Sequence, residues 1–375
     1  MLKINKSFCI KPWTSSLVRN NGDIRMCCQS QEEYKHNLNT SSIEDWWSSD
    51  FLAGIRQKML ADESPKECVR CYKQEKLGII SDRQKANKDY KVVEQYAVQS
   101  LNYYGYPADQ PLEIEFQLTN LCNLKCLMCS EGSSSSILAE NKLLKINTSG
   151  SRDYSITVKE IQEMKTWMQS KPKMIRLCGG EPMMVAEIKQ AIQWGLSNGL
   201  LDNTELHITT NATKLDDEWL DILSKIKNLR IMISVDAVGQ LNDYIRYGSD
   251  WDTIVTNIEK MSQIPNVNLV IHATIQNLNI LYIDKLILWC KEHNYYFDYG
   301  LIEQPAIYSL SNLPMELIEQ AKENLKDNKT FLTLLENVEP TNSWEELKKE
   351  INMRDAFRKT SIINVIPEFK EYWNA

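Results

Sequence analysis

Six runs of β-forming residues recur between 113 and 301, each separated from the next by a helical pattern. They are Glu113–Leu118, Met174–Leu177, Glu205–Thr210, Arg230–Val235, Val267–Ile275 and Tyr296–Leu301. Strands alternating with helices pair in parallel through right-handed crossovers, because a twisted strand feeding a helix packs back on its sheet only with that hand. Six units are fewer than the eight of a closed TIM barrel, so the expected fold is α/β, an open partial (β/α)6 barrel. Its ligands belong beyond the C-terminal strand ends. The intervening helices are read from apolar spacing: Val158, Ile161, Met164 and Met168 after a Thr157/Glu160 cap; Val185, Ile188, Ala191, Ile192 and Leu196; Leu215, Trp219, Ile222 and Ile226; Ile254, Ile258 and Met261; and Ile283, Leu286, Ile287 and Cys290.

Just past the first strand lies Cys122-Asn123-Leu124-Lys125-Cys126-Leu127-Met128-Cys129, a C-x₃-C-x₂-C loop. Thiolate is a soft ligand that suits zinc, copper(I) or iron–sulfur clusters. Structural zinc takes a fourth ligand nearby, and no His or Cys follows within the next forty residues. Three thiolates hold three irons of a [4Fe–4S] cube and leave the fourth open to a substrate or cofactor. Three clustered structural cysteines are the alternative.

Five more cysteines, Cys9, Cys27, Cys28, Cys68 and Cys71, precede residue 95. Gly22-Asp23 between Ser16–Arg19 and Ile24–Cys27 predicts a hairpin that brings Cys9 and Cys27 to one end. One helix is predicted from Ser42/Asp45 onward, with Trp46, Phe51, Ile55 and Met59 near one face. The C-x₂-C turn at Cys68 and Cys71 presents two thiolates to one metal or cluster. With Cys9 and Cys27 it makes four ligands, for zinc or for a cluster; Cys28 either replaces Cys27 or faces the other way.

Net charge is −7 and pI near 5.4. No broad basic field exists for nucleic acid. No window is apolar enough for a membrane span and the N-terminus has no signal-like apolar core, so a reducing cytoplasm is expected. Residues 96–110, with Tyr103-Tyr104-Gly105-Tyr106-Pro107, read as a linker, Ser130–Ser136 as a polar loop able to act as a lid, and 303–375 as a helical extension. His207 and His272 read as core histidines and His293 as a helix end. Cys178 is a thiol at the end of the second strand. Tyr296, Asp298, Tyr299 and Glu303, around the end of the sixth strand, are candidate substrate contacts.

With these features stands Cys178-Gly179-Gly180-Glu181-Pro182, in which Gly-Gly admits close backbone approach and Glu-Pro ends the strand. Together with the three-cysteine loop one β/α unit upstream, it makes the chain resemble a radical SAM enzyme. The resemblance implies that Gly179, Gly180, Glu181 and Pro182 bind the methionyl amino group of S-adenosylmethionine (SAM). Ser234-Val235-Asp236 is similar to the segment that contacts the ribose, Arg246 to an arginine near the SAM carboxylate, and Asn211 to a residue near the adenosine. Cys9, Gly22, Cys27, Cys68 and Cys71 match the order of twitch and SPASM auxiliary domains, and suit the shorter twitch arrangement with one [4Fe–4S] cluster. The chain departs from the family at Met128, where an aromatic is usual, at Ala212, where glycine is usual, and in placing the auxiliary domain before the barrel.

The activity implied is reductive cleavage of SAM at the [4Fe–4S] cluster of Cys122, Cys126 and Cys129. The resulting 5′-deoxyadenosyl radical takes hydrogen from a peptide or small metabolite, and a flavodoxin- or ferredoxin-type protein supplies the electron. The implied domains are an auxiliary domain at 1–95, a linker at 96–110, the barrel at 111–302 and the helical extension at 303–375. The rival readings are a non-catalytic iron–sulfur redox or scaffold protein and a zinc-stabilised binding module.

Overall fold

A computed structural model of the chain describes residues 6–31, 36–76, 78, 80–89, 110–148, 153–302, 304–341 and 343–373. The tyrosines at 103, 104 and 106 and Glu303 lie outside these residues. The chain forms two compact units: Met1–Thr119, Tyr154–Gly179 and Gln190–His207 make the first, and Asn120–Asp153, Gly180–Lys189 and Ile208–Ala375 the second.

In the first unit, β1 (Ser15–Val18) and β2 (Asp23–Arg25) form the expected antiparallel hairpin, with Leu17 opposite Arg25. β3 (His36–Asn37) extends it. β1 also pairs in parallel with β4 (Glu113–Phe116), from Ser15 opposite Glu113 to Val18 opposite Phe116. β4 pairs in parallel with β5 (Met174–Leu177). Burial alternates along β4 and β5, so Ile114, Phe116, Ile175 and Leu177 pack into the core while Glu113, Glu115 and Arg176 face the other way.

The single helix expected after Ser42 is two. Ser42 and Asp45 form the predicted capping box on Ile43–Trp47, but Ser49 then caps a second helix, Asp50–Leu60, by accepting Leu52 N–H. Ser49 Oγ also donates to Trp46 O at 2.7 Å, so one hydroxyl closes one helix and opens the next. Leu52 is fully buried where Phe51 was expected to be. The Thr157/Glu160 capping box is present on Val158–Gln169, yet Val158 is 89 % exposed and Trp167 takes a place on the buried face.

β6 (Glu205–Thr210) is divided between the units after His207. In the second unit, β7 (Leu229–Ser234), β8 (Val267–Ile275) and β9 (Tyr296–Leu301) pair in parallel, with Ser234 opposite His272 and His272 opposite Asp298. All six expected strands are therefore present as β4 to β9, and the fold class is α/β with mostly parallel pairing. The helix Ile283–Glu292 buries Cys290, a core residue as expected. Beyond β9 the chain is helical, with Met315–Asn324, Lys329–Glu336 and Trp344–Arg358 as its longer elements.

Candidate functional site

The three-cysteine loop follows β4 and is held by its backbone. Lys125 N–H donates to Tyr247 O and Leu127 N–H to Ile245 O, both at 2.8 Å. The serines expected to form a lid hold the loop instead. Ser134 caps the helix Ser135–Leu143 by accepting Ile137 N–H, and its hydroxyl donates to Leu124 O at 2.8 Å. Ser135 Oγ accepts Cys122 N–H at 3.3 Å, and Ser136 Oγ donates to Cys122 O at 2.7 Å. A serine three residues before an apolar pair such as Ile137-Leu138 is a helix-start signal, and that signal was available in the sequence.

Burial pushes all three thiols up, Cys129 to about 12, because a thiolate is penalised away from water. The Arg246 guanidinium works in the opposite direction on each of them. Arg246 is 7 % exposed, and its Nε lies 2.8 Å from Asp236 Oδ2, a close ion pair whose N–H is not aligned as a hydrogen bond. Burial opposes the Arg246 charge, but Asp236 and Cys126 together raise it above its ordinary value. Asp236 is fully buried at the end of β7; its other oxygen accepts Thr274 N–H at 2.8 Å, and its backbone N–H donates to Asn242 Oδ1 at 3.0 Å. Arg246 therefore makes a buried ion pair with Asp236, and its charge favours thiolate at the three cysteines.

Gly180 has φ +55, and a Cβ there would lie 2.4 Å from Leu121 O. The backbone passes this close because Glu181 N–H donates to that same carbonyl at 2.7 Å. The Glu181 carboxylate is 1 % exposed and accepts from Thr210 Oγ1 at 2.8 Å, Asn211 N–H at 2.7 Å and Met183 N–H at 3.1 Å. Burial pushes it up to about 7, against the pull of those donors. It ties the Pro182–Met184 turn to the end of β6. Gly179, in the first unit, has φ +82, and its Cβ would meet Gln117 Cβ at 2.9 Å.

Asn211 Nδ2 lies 3.8 Å from Cys122 Sγ and 3.1 Å from Asn123 Oδ1, while Asn211 Oδ1 accepts from Thr213. Ala212 is buried at φ +57, the left-handed conformation that favours glycine. Its N–H donates to Thr210 Oγ1, and its carbonyl accepts from Asn257 Nδ2 at 2.8 Å. Ser234 ends β7, half-buried.

In the first unit, Cys9, Cys27, Cys68 and Cys71 line one pocket of about 360 Å³ open to solvent, together with Lys11, Met26, Gln29, Asp82 and Arg83. Burial pushes Cys9 up to about 11 and raises Cys27 and Cys71. Backbone N–H groups of Lys11 and Arg83 pull Cys9 and Cys71 back down, as donors aimed at thiolate do. Cys28 lines a neighbouring pocket with Glu113, Glu115 and Arg176, and its Sγ lies 4.0 Å from Asp82 Oδ2. Cys27 lines both of these pockets, and Cys28 the second. Among the described residues, no three His, Cys, Asp or Glu side chains are gathered closely enough for a single ion. Cys68→Ala is expected to remove about half of the bound iron, and Cys28→Ser none, as measured by iron and sulfide content after anaerobic reconstitution.

Cys178 donates weakly to Glu115 Oε1 at 3.1 Å. His272 Nδ1 lies 3.2 Å from Asp298 Oδ2; the pair is half-buried, so His272 is not the core histidine expected. Tyr299 packs on Phe331 with ring centroids 4.9 Å apart, and Tyr296 is 64 % exposed. His207 is fully buried, and His293 closes its helix with Nδ1 2.9 Å from Trp289 O.

The donor sets fit iron–sulfur centres. Three soft thiols stand on one backbone-held loop, their charged form favoured by the Arg246 guanidinium, and four more line one pocket. Residues 116–290 match the radical SAM superfamily, and residues 9–72 match SPASM, an iron–sulfur cluster-binding domain. The chain thus carries a radical SAM domain and, N-terminal to it, a SPASM-like iron–sulfur domain. These matches imply a [4Fe–4S] cluster with SAM in the radical SAM domain and an auxiliary cluster in the SPASM-like domain.

Among curated proteins it is similar to the sporulation killing factor maturation protein SkfB of Bacillus subtilis, 23% identical over 177 residues covering 45% of this chain and 37% of that one. It is also similar to GTP 3′,8-cyclase of Clostridium perfringens, 28% identical over 174 residues, 46% of this chain and 48% of that one. Each match spans less than half of the curated relative. Among solved structures, Streptococcus suis SuiB bound to S-adenosylmethionine aligns with a TM-score of 0.44 and 17% identity, covering 75% of this chain and 60% of that one. No described helix is long and apolar enough to cross a membrane.

Proposed function

We propose that this chain is a radical SAM enzyme that abstracts hydrogen from a peptide or small metabolite, with a peptide as the better fit. The observation that carries the reading is the joining of two distant motifs. Glu181 N–H donates to Leu121 O at 2.7 Å, and Asn211 Nδ2 lies 3.8 Å from Cys122 Sγ. When bound at Cys122, Cys126 and Cys129, the cluster supplies reductive cleavage of SAM to methionine and a 5′-deoxyadenosyl radical, chemistry that belongs to the cofactor.

The chain's own residues position, shield and set charge. Gly179 and Gly180 offer backbone without a side chain in the way. Glu181 and Pro182 brace that turn, since the carboxylate is already committed to three donors. Asn211, Ser234 and Asp236 stand at the ends of β6 and β7, which suits the nucleoside half of SAM. Arg246 suits the anionic end, because a desolvated guanidinium is a strong partner for carboxylate or thiolate. Tyr296, Asp298 and Tyr299 are substrate-side candidates.

Cys9, Cys27, Cys68 and Cys71 support full ligation of the auxiliary cluster, and so an electron-transfer or structural role for it. A flavodoxin- or ferredoxin-type donor is the matching electron source. The peptide preference draws on the maturation-protein relative; the cyclase relative is why small metabolites stay in view.

The test is anaerobic reconstitution followed by dithionite and SAM. About eight irons per chain with 5′-deoxyadenosine formed is the expected result. The same iron without SAM cleavage would point to a redox scaffold, and zinc without sulfide would reject both.

A further inference from the structure

The helix Trp344–Arg358 lies beyond the residues matched to the superfamily. We infer that it is a working part of the three-cysteine site, with Arg358 a positioning residue for the cysteine loop and Glu140 its buried anchor. The inference rests on the reading that Cys122, Cys126 and Cys129 hold the SAM-binding cluster.

Several polar backbone groups of the loop have partners from the residues around 245–247 and from Ser134–Ser136, described above. The carbonyl of Lys125, one residue before Cys126, is held from the far end of the chain: Arg358 Nη2 donates to it at 2.8 Å. The same guanidinium grips Glu140 with a fork, Nη2 to Oε1 at 2.6 Å and Nε to Oε2 at 3.1 Å. Glu140 is fully buried on the helix that Ser134 caps, so one arginine ties the loop to that helix. Its planar fork serves both acceptors at once, which a lysine ammonium cannot do as well.

The Arg358 guanidinium also lies 4.6 Å from the Tyr247 ring centroid, and Tyr247 OH donates to Arg358 O at 3.3 Å. Tyr247 O is the acceptor of Lys125 N–H. Both backbone groups of Lys125 thus depend on parts that touch Arg358. A second arginine shares the anchor without touching the loop. Arg354 Nη1 donates to Glu140 Oε1 at 2.6 Å, and Nη2 to Asn141 Oδ1 at 3.2 Å. This separates fold stability from loop positioning. A buried ion pair is by itself weak support for stability, whereas groups that orient metal ligands change metal affinity about 10- to 100-fold.

The experiment compares wild type, Arg358→Ala, Arg358→Lys and Arg354→Ala as full-length, anaerobically reconstituted chains. It reads iron release to a chelator and the change that SAM makes in the EPR spectrum of the reduced cluster. Arg358→Ala is expected to release about half of its iron about tenfold faster and to lose the SAM-dependent change. Arg358→Lys recovers part of both, and Arg354→Ala keeps the SAM-dependent change even where its melting temperature falls. Wild-type behaviour of Arg358→Ala overturns the inference. So does equal damage from Arg354→Ala, which would make the network a stability device. A wild type with no SAM-dependent change sinks the functional reading and this inference with it, whereas a variant matching a competent wild type sinks the inference alone.

Discussion

Cys126→Ala is expected to reduce 5′-deoxyadenosine formation to background and to leave about half of the iron in place. Cys126 is buried, 8 % exposed, in the middle of the C-x₃-C-x₂-C loop. The bonds that shape this loop come from backbone groups and from Ser134, Ser135 and Ser136, so the loop keeps its path when the thiol is removed. What is lost is one of three soft donors, and two thiolates do not replace three. The four-thiol pocket is in the other unit and keeps its own iron. The measurement is product formation by liquid chromatography beside iron and sulfide counts. A variant that still cleaves SAM would remove the loop from its assigned role.

Gly180→Ala is expected to weaken SAM binding by at least about tenfold, roughly 1.4 kcal/mol. The added Cβ would lie 2.4 Å from Leu121 O and 3.0 Å from the Asn120 carbonyl carbon, both backbone atoms that cannot swing aside as a side chain does. Moving them breaks the bond from Glu181 N–H to Leu121 O, worth about 1 kcal/mol, while the positive φ adds about 1–2 kcal/mol of strain. Gly239→Ala is the control: φ is +66 but nothing lies within 4 Å of the new methyl. It carries the strain without the collision and is expected to bind SAM nearly as wild type does. Equilibrium binding of SAM to both reconstituted variants separates the two effects.

The strands were legible because they are rich in β-branched, aliphatic and aromatic residues and are separated by helical patterns. Their starts and ends match the sequence reading within two residues, as at Glu205–Thr210 and Tyr296–Leu301. The cysteine groups that the structure brings near one another were visible because much of their spacing is local information. Harder were features in which one residue does two things. Ser49 ends one helix while opening another, and Ser134 caps a helix while holding a loop carbonyl. Composition sees only polar residues there. Arg358 and Glu140 were illegible for a different reason: they meet across 218 positions of sequence, and no local pattern announces such a pair. Ala212 shows the opposite case, a departure from glycine whose conformation nonetheless remains left-handed, with its backbone bonded to Thr210 and Asn257.

The parallel pairing of β1 with β4 bears on how divisible the protein is. β1 covers all four residues of β4 on the side away from β5, so the segment that carries Cys9 also shields a sheet edge. A shortened chain starting after residue 95 would present β4 with a row of unpaired N–H and C=O groups, an open template for another chain. The auxiliary segment is therefore a seam in the sheet and not a detachable appendage. Whatever its cluster does for catalysis, its first strand also serves as protection against self-association.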